Sequence, residues 1–368
     1  MEDRKTGHLP SSIFNPRPSL VPKGIPTMSR IRVGLIRCDT HGLWFGPLMA
    51  EHDPLAFQRP MDPRHPHPYT WQAGGCHKFF YSDYADPTRM TVPFVGGFEI
   101  TRLWDEHRDA AEQAKAVFHG KPKVCDSFEQ CSEDVDLVFI SDCNLDGSDH
   151  LKLARPGLER GIPTFVDKPF ADTVAHAREL LDLARKHNAP IFSLSIVRTE
   201  PAVARFKNRI PEAGKVNFAT ISGYGTHPAG FVHTTSATQH LFGSGIQTVD
   251  VLTAREQVLV HLDYGGERAG KDSVPLHGVT IHTNVGSRPL TALGMSIYGD
   301  KTDIHETMLG DFVYADGTAE IIKLIKQMVE TRESPEKLMN EVVESIAVIE
   351  AFKMAQKTRQ PAKVADFL

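Results

Sequence analysis

The chain has 368 residues, of which 40% are hydrophobic and 24% charged, and its formal net charge is −5. That length exceeds one ordinary core and fits two globular domains. Lysine and arginine are spread along the whole sequence, so nucleic acid and membrane are not expected as partners, and no run approaches the roughly 20 apolar residues of a membrane helix.

Taken in chain order, residues 1–28 are proline-rich and read as a disordered leader. Residues 31–36 are a short apolar run with β-branched members, hence a buried strand, and Leu43 to Ala50 suit a helix. Residues 51–97 then break into Pro, His, Gly and aromatics, too long for a plain connection, and read as a functional or oligomer-forming insertion. Regularity returns with strands at Phe98–Trp104, Val135–Ser141, Thr164–Val166 and Ile191–Val197. Helices alternate with them at Arg108–Phe118, His150–Arg160 and Asp172–His187. This alternation predicts a doubly wound parallel sheet over residues 29–197.

Past Arg198 the rhythm changes. Strand-like runs follow one another at Val216–Gly223, Gln247–Thr253, Gln257–Tyr264, His277–Thr283 and Ala292–Tyr298, and two helices close the chain at Thr318–Thr331 and Ser334–Thr358. In the last of these, Leu338, Val342, Ile346, Ile349 and Phe352 recur at helical spacing and face a core. The expected fold class is α/β: an N-terminal doubly wound parallel sheet, then a C-terminal α+β domain over 198–368 with a largely antiparallel open sheet. The second domain is expected to bind substrate and to form oligomers.

The five cysteines (Cys38, Cys76, Cys125, Cys131, Cys143) are odd in number and show no C-x-x-C spacing. They read as free thiols in a reducing compartment, which points to a cytoplasmic protein. His227, His233 and His240 are spaced by six and seven residues, which matches no compact zinc pattern, so no metal is expected.

In a doubly wound sheet, ligands bind beyond the carboxyl ends of the strands. After the first strand, where G-x-G-x-x-G is expected, the sequence reads Arg37-Cys38-Asp39-Thr40-His41-Gly42, and only Gly42 matches. Arg37 is suited to meet a phosphate and Asp39 to repel one. At the second strand end, Asp105 suits the hydroxyls of an adenosine ribose, which favours NAD over NADP, although it would also suit an N-cap. Arg108 nearby keeps NADP possible. A third group comprises Asp142-Cys143-Asn144 through His150, then Val166-Asp167-Lys168-Pro169.

In this third group the chain resembles the glucose–fructose oxidoreductase/inositol dehydrogenase/MocA (Gfo/Idh/MocA) family of nicotinamide-dependent sugar and polyol oxidoreductases. Eighteen positions separate His150 from Lys168, with Gly161 between them ending a helix, and Asp167 replaces the family's usual Glu before Lys-Pro. The resemblance continues through Arg198-Thr-Glu-Pro201 and ends with Glu341 to Val364. It implies a Rossmann domain that binds NAD, or possibly NADP. Arg37, Thr40, His41, Gly42, Asp105, Asp142, Asn144, His150, Asp167, Lys168, Pro169 and Arg198 would lie along the cofactor. Lys168 would stand beside the nicotinamide and the reacting hydroxyl. Counting ten residues back from Gly243 places His233 at the family's proton-transfer histidine. Its flanking acids are replaced by Ala229 and Ser236, so the carboxylate that usually orients the ring is missing.

Three readings follow. The first is an NAD-dependent oxidoreductase acting on a hydroxyl-bearing carbon of a sugar, cyclitol or polyol, as a homo-oligomer. The second is a non-catalytic homologue that binds a sugar-like ligand, and the third a lyase or hydrolase that uses NAD transiently.

Overall fold

The computed structural model describes residues 30–60, 62–64, 71–72, 94–141, 146–284, 290–308 and 314–368. Six parallel strands form the first sheet: β1 (Ile31–Ile36), β2 (Phe98–Trp104), β3 (Lys123–Val124), β4 (Leu137–Ile140), β5 (Thr164–Val166) and β6 (Ile191–Phe192). Their order, β3-β2-β1-β4-β5-β6, is the Rossmann order, with the chain reversing direction across the sheet between β1 and β4. Helices α1 (Thr40–Met49), α2 (Arg108–Val117), α3 (His150–Glu159) and α4 (Val174–Lys186) connect the strands. The four residues of β4, Leu-Val-Phe-Ile, are all buried, as a strand covered on both faces requires.

Several boundaries differ from expectation: the helix after β1 begins at Thr40 and not Leu43, β4 is trimmed to Leu137–Ile140, and the helix expected from Thr318 begins at Tyr314. The sixth strand is only Ile191–Phe192, because the chain leaves the sheet and Ile196–Thr199 winds into a 3-10 turn. The helix expected from Asp172 begins at Val174, where the Thr173 hydroxyl accepts from the His176 N–H at 3.2 Å and caps it.

The second sheet has seven strands: β7 (Val216–Gly225), β8 (Thr248–Ala254), β9 (Gln257–Asp263), β10 (Val279–Asn284), β11 (Leu290–Gly299), β12 (Asp303–Met308) and β13 (Ala362–Lys363). Their order is β12-β11-β7-β10-β9-β8-β13. The β7–β10 pair is parallel and the other pairs are antiparallel. The fold is therefore the expected α/β architecture of a doubly wound sheet followed by a largely antiparallel one. Four helices accompany the second sheet: α5 (Pro201–Arg209), α6 (Pro228–Phe242), α7 (Tyr314–Thr331) and α8 (Glu336–Thr358). Of these, α6 packs on β7 and α8 on β8, while α7 lies against α1 of the first domain. The Trp44 indole N–H donates to Thr318 Oγ1 at 3.1 Å, tying α1 to α7. Val174 N–H donates to Glu350 Oε2 at 2.8 Å, tying α4 to α8.

In the insertion, Pro54–Phe57 forms one helical turn, and the buried Trp71 ring stacks on Phe57 with centroids 5.2 Å apart. The aromatic run Phe79-Phe80-Tyr81 lies outside the described residues. Among the described residues, no helix is long and apolar enough to cross a membrane.

Candidate active site

The turn from β1 into α1 keeps the shape of a glycine-rich loop without its first two glycines. Arg37 has φ 74°, the left-handed region that glycine adopts freely, at a cost of roughly 1–2 kcal/mol for any other side chain. Neighbouring groups hold it there. Its N–H donates to Trp104 O at 2.8 Å, and its guanidinium bonds Glu106 Oε2 at 2.9 Å and Asp149 Oδ2 at 2.8 Å. One side chain thus links the ends of β1 and β2 to the start of α3. Asp39 is the N-cap of α1, its carboxylate accepting from the N–H groups of His41 at 3.0 Å and Gly42 at 3.4 Å. Gly42 cannot be larger: a Cβ there would meet Arg37 O at 2.7 Å and Ser141 Oγ at 2.9 Å. This is the close helix–strand approach that the third glycine of the fingerprint serves.

Asp105 is buried at the end of β2. Its carboxylate accepts from Cys38 N–H at 2.8 Å and His107 N–H at 2.9 Å, and burial pushes its carboxyl above the ordinary range. The N-cap of α2 is His107, so Asp105 braces the β1–α1 turn instead of capping that helix.

The other group forms beyond β5. Asp167 N–H donates to Ile140 O at 2.9 Å, and its buried carboxylate pairs with His41 Nδ1 at the start of α1. Burial opposes ionisation of this carboxyl, yet His41 and Lys168 hold it below its ordinary range. Lys168 is followed by a cis peptide to Pro169, and its Nζ donates to Ala229 O at 3.2 Å in the first turn of α6. His227 caps that helix, its Nδ1 accepting from Gly230 N–H at 3.1 Å. His233 is buried, with its Nδ1 2.8 Å from Ser195 Oγ.

Burial, then Lys168, His41 and His227, hold His233 well below the usual imidazole range. Burial and Lys168 lower His227 in the same direction. Both rings are therefore neutral near pH 7, able to accept a proton but poor at keeping one.

The ring that the sequence leaves without an orienting acid at Ala229 thus has a neutral hydroxyl partner in Ser195. Sequence reading missed Ser195, which lies 38 positions from His233 and belongs to no motif. The nearest signal was its place just before Arg198-Thr-Glu-Pro201.

The remaining candidates fall in three places. Thr40 opens α1 beside Asp39. His150 is fully buried at the start of α3, and a Cβ at Gly147 would lie 2.7 Å from Pro169 O and 3.2 Å from His150 Nδ1, so this loop packs on the Lys-Pro corner. Arg198 forms a largely buried ion pair with Glu341 of α8 and acts on His240, which burial, Lys207 and Arg198 push down to about 4. The described contacts of Arg198 do not join it to Lys168. Asp142 and Asn144 lie outside the described residues.

The residues at these strand ends have the chemistry a dinucleotide calls for. Gly42 keeps backbone close to the β1–α1 turn, Arg37 brings a guanidinium to the end of β1, and Asp105 sits at the end of β2. Asp39 already takes two N–H groups of α1, which leaves Arg37 as the main positive group for a pyrophosphate.

Comparison with known proteins agrees. The model of the oxidoreductase family GFO_IDH_MocA, an NAD-binding Rossmann fold, matches residues 74–194. The uncharacterized oxidoreductase YhhX of Escherichia coli (strain K12) is 26% identical over 133 residues, 35% of this chain and 37% of that protein. The match therefore spans little more than a third of the relative's length.

Among solved structures, scyllo-inositol dehydrogenase from Lactobacillus casei with bound NAD(H) and scyllo-inositol has a TM-score of 0.66 at 10% identity, over 91% of this chain and 99% of that one. An oxidoreductase from Agrobacterium radiobacter in complex with NAD+, L-tartaric acid and magnesium has a TM-score of 0.64 at 12% identity, over 92% of this chain and all of that one. These structures share the two-domain fold. Residues 74–194 thus match the NAD-binding Rossmann fold of the Gfo/Idh/MocA oxidoreductase family, the family that the sequence resembles.

Proposed function

We propose that the protein is a dehydrogenase that moves hydride between NAD and a hydroxyl-bearing carbon of a sugar, cyclitol or polyol. The observation that carries this reading is the convergence of Lys168, His227 and His233 at the Lys-Pro corner, where α6 of the second domain meets the first. Bound NAD would accept or return the hydride. The protein's own residues handle charge and proton. The Lys168 ammonium stabilises negative charge developing on the substrate oxygen, and His233, oriented by Ser195, is the neutral acceptor for its proton. Arg37, Gly42 and Asp105 would hold the adenosine and pyrophosphate half. The scyllo-inositol bound in the Lactobacillus casei enzyme supports the hydroxyl-rich substrate class.

Residues 29–197 are assigned to the cofactor and 198–368 to substrate and self-association. The latter is supported by the exposed apolar side chains Phe218, Leu252 and Leu259 on the outer face of the second sheet. The non-catalytic reading has one observation in its favour: Asp39 occupies the N–H groups that a pyrophosphate would take. Two measurements on the same protein separate the readings. Thermal shift with NAD, NADP and a panel of sugars and polyols should show a larger shift for cofactor plus substrate than for either alone. Net NADH formation with the responding compound supports the dehydrogenase. Binding without any NADH formation supports the alternatives.

A further inference from the structure

The substrate end of the cleft carries an excess of bases. Lys168 stands among imidazoles from three positions: His41 at the start of α1, His227 at the cap of α6, and His233 nearly two turns farther along α6. The carboxylate beside Lys168, Asp167, is already paired with His41. The two positions that carry acids in the resembled family pattern are Ala229 and Ser236. The N-terminus of α6, 15 residues long, adds its partial positive charge behind His227. With His227 and His233 neutral, the positive charge here is that of the Lys168 ammonium and the helix end; a neutral polyol gives it no counter-charge, whereas an anion pairs with it and can draw protons onto the neighbouring imidazoles.

We propose that the substrate is a hydroxy acid of the sugar-acid type, whose carboxylate is held by His227 and the start of α6 while its reacting hydroxyl faces Lys168. The proposal rests on the dehydrogenase reading for the reacting hydroxyl, and on the base cluster alone for the carboxylate. It has a linkage consequence. Burial first and then Lys168 hold His227 below its ordinary range, and burial followed by Lys168, His41 and His227 does the same to His233. An anion at this place stabilises the imidazolium forms, so its binding takes up protons and strengthens as pH falls. Among the described residues, Asp167 and the Ser195 hydroxyl also pack on the cluster.

The test uses matched pairs with the full chain, with and without NADH: D-glucuronate against D-glucose and D-galacturonate against D-galactose. D-glucose 6-phosphate, scyllo-inositol and sodium sulfate are measured alongside. The uronates should bind at least about ten-fold tighter than their neutral partners. The gap should narrow from pH 6 to pH 8, with proton uptake seen as a dependence of the calorimetric heat on buffer ionisation. It should close in His227→Gln. Equal or tighter binding of the neutral sugars or scyllo-inositol overturns the proposal, and so does a panel in which no uronate binds. Sulfate matching the uronates means an adventitious ion only, and tightest binding of the phosphate ester assigns the cluster to phosphate; either result overturns the carboxylate. NADH binding, followed separately by its fluorescence, reports on the dehydrogenase reading and does not depend on these outcomes.

Discussion

The two ends of the cleft are built from opposite charges. At the adenosine end, Asp39, Asp105, Glu106 and Asp149 surround a single guanidinium, that of Arg37. At the lysine end, Lys168, His41 and His227 all act on His233, and the carboxylate of Asp167 pairs with His41. Arg37 pairs with Glu106 and Asp149, and Asp167 pairs with His41. The difference teaches how one cleft can divide two tasks. At the proposed cofactor end, side chains are pinned by backbone donors and ion pairs, and the turn keeps its shape even with arginine in a left-handed conformation. At the proposed proton-transfer end, imidazoles are buried beside an ammonium and stay neutral.

Breaking the lysine end should have the largest effect. Lys168→Met removes the positive charge that stabilises a developing oxyanion, and turnover should fall by about a hundred- to a thousand-fold, with NAD affinity within about two-fold of wild type because the adenosine end is untouched. His233→Ala should cost less, since Ser195 gives the ring only a neutral partner. Steady-state kinetics beside a binding titration decides this. Normal turnover of Lys168→Met would separate the lysine from the chemistry.

The adenosine end answers to a smaller change. In Gly42→Ala the new methyl group meets backbone, Arg37 O, at 2.7 Å. The turn must shift, which should lower stability by about 1–3 kcal/mol and weaken NAD binding. Denaturant unfolding with and without NAD measures both. An unchanged midpoint would show that the helix and strand have room to spare.

The smallest effect lies behind the cleft. Glu200 is fully buried, one oxygen accepting from Gly317 N–H at 3.2 Å, and burial raises its carboxyl to about 9 from 4.5. A raised carboxyl contributes stability fully below the unfolded value and loses it as pH climbs through the folded one. Wild type should therefore lose stability between about pH 5 and pH 9, a loss that Glu200→Gln does not share. The melting temperature of the variant should gain on wild type steadily across that range, and parallel curves would contradict the assignment.

The legibility of the two ends in the sequence differs as much as their charge. β1, β4 and the alternating helices announce themselves by apolar runs and spacing, and the Lys168 corner by an ordered motif. Helix α6 does not, because Pro228 to Phe242 is rich in Gly, Ala, Thr and Ser and is buried on nearly every side, so no polar stripe marks its period. β12 is an edge strand of mixed residues, with Ile304 its one buried hydrophobic among the described side chains. The pairs His41–Asp167, Arg37–Asp149 and Ser195–His233 span 126, 112 and 38 positions. Only the fold brings such residues together, and local pattern carries no trace of them. Asp105 was legible by position, yet its bracing of the Cys38 N–H was not.

The account stands most directly on which dinucleotide the acidic end accepts. Calorimetric titration of the wild-type protein with NAD and with NADP, repeated on Asp105→Asn, tests it. NAD should bind about ten-fold or more tighter than NADP, since the added phosphate would face Asp105 and Glu106, and the variant should narrow that gap. Equal or tighter binding of NADP to the wild type, or no binding of either, would contradict the account.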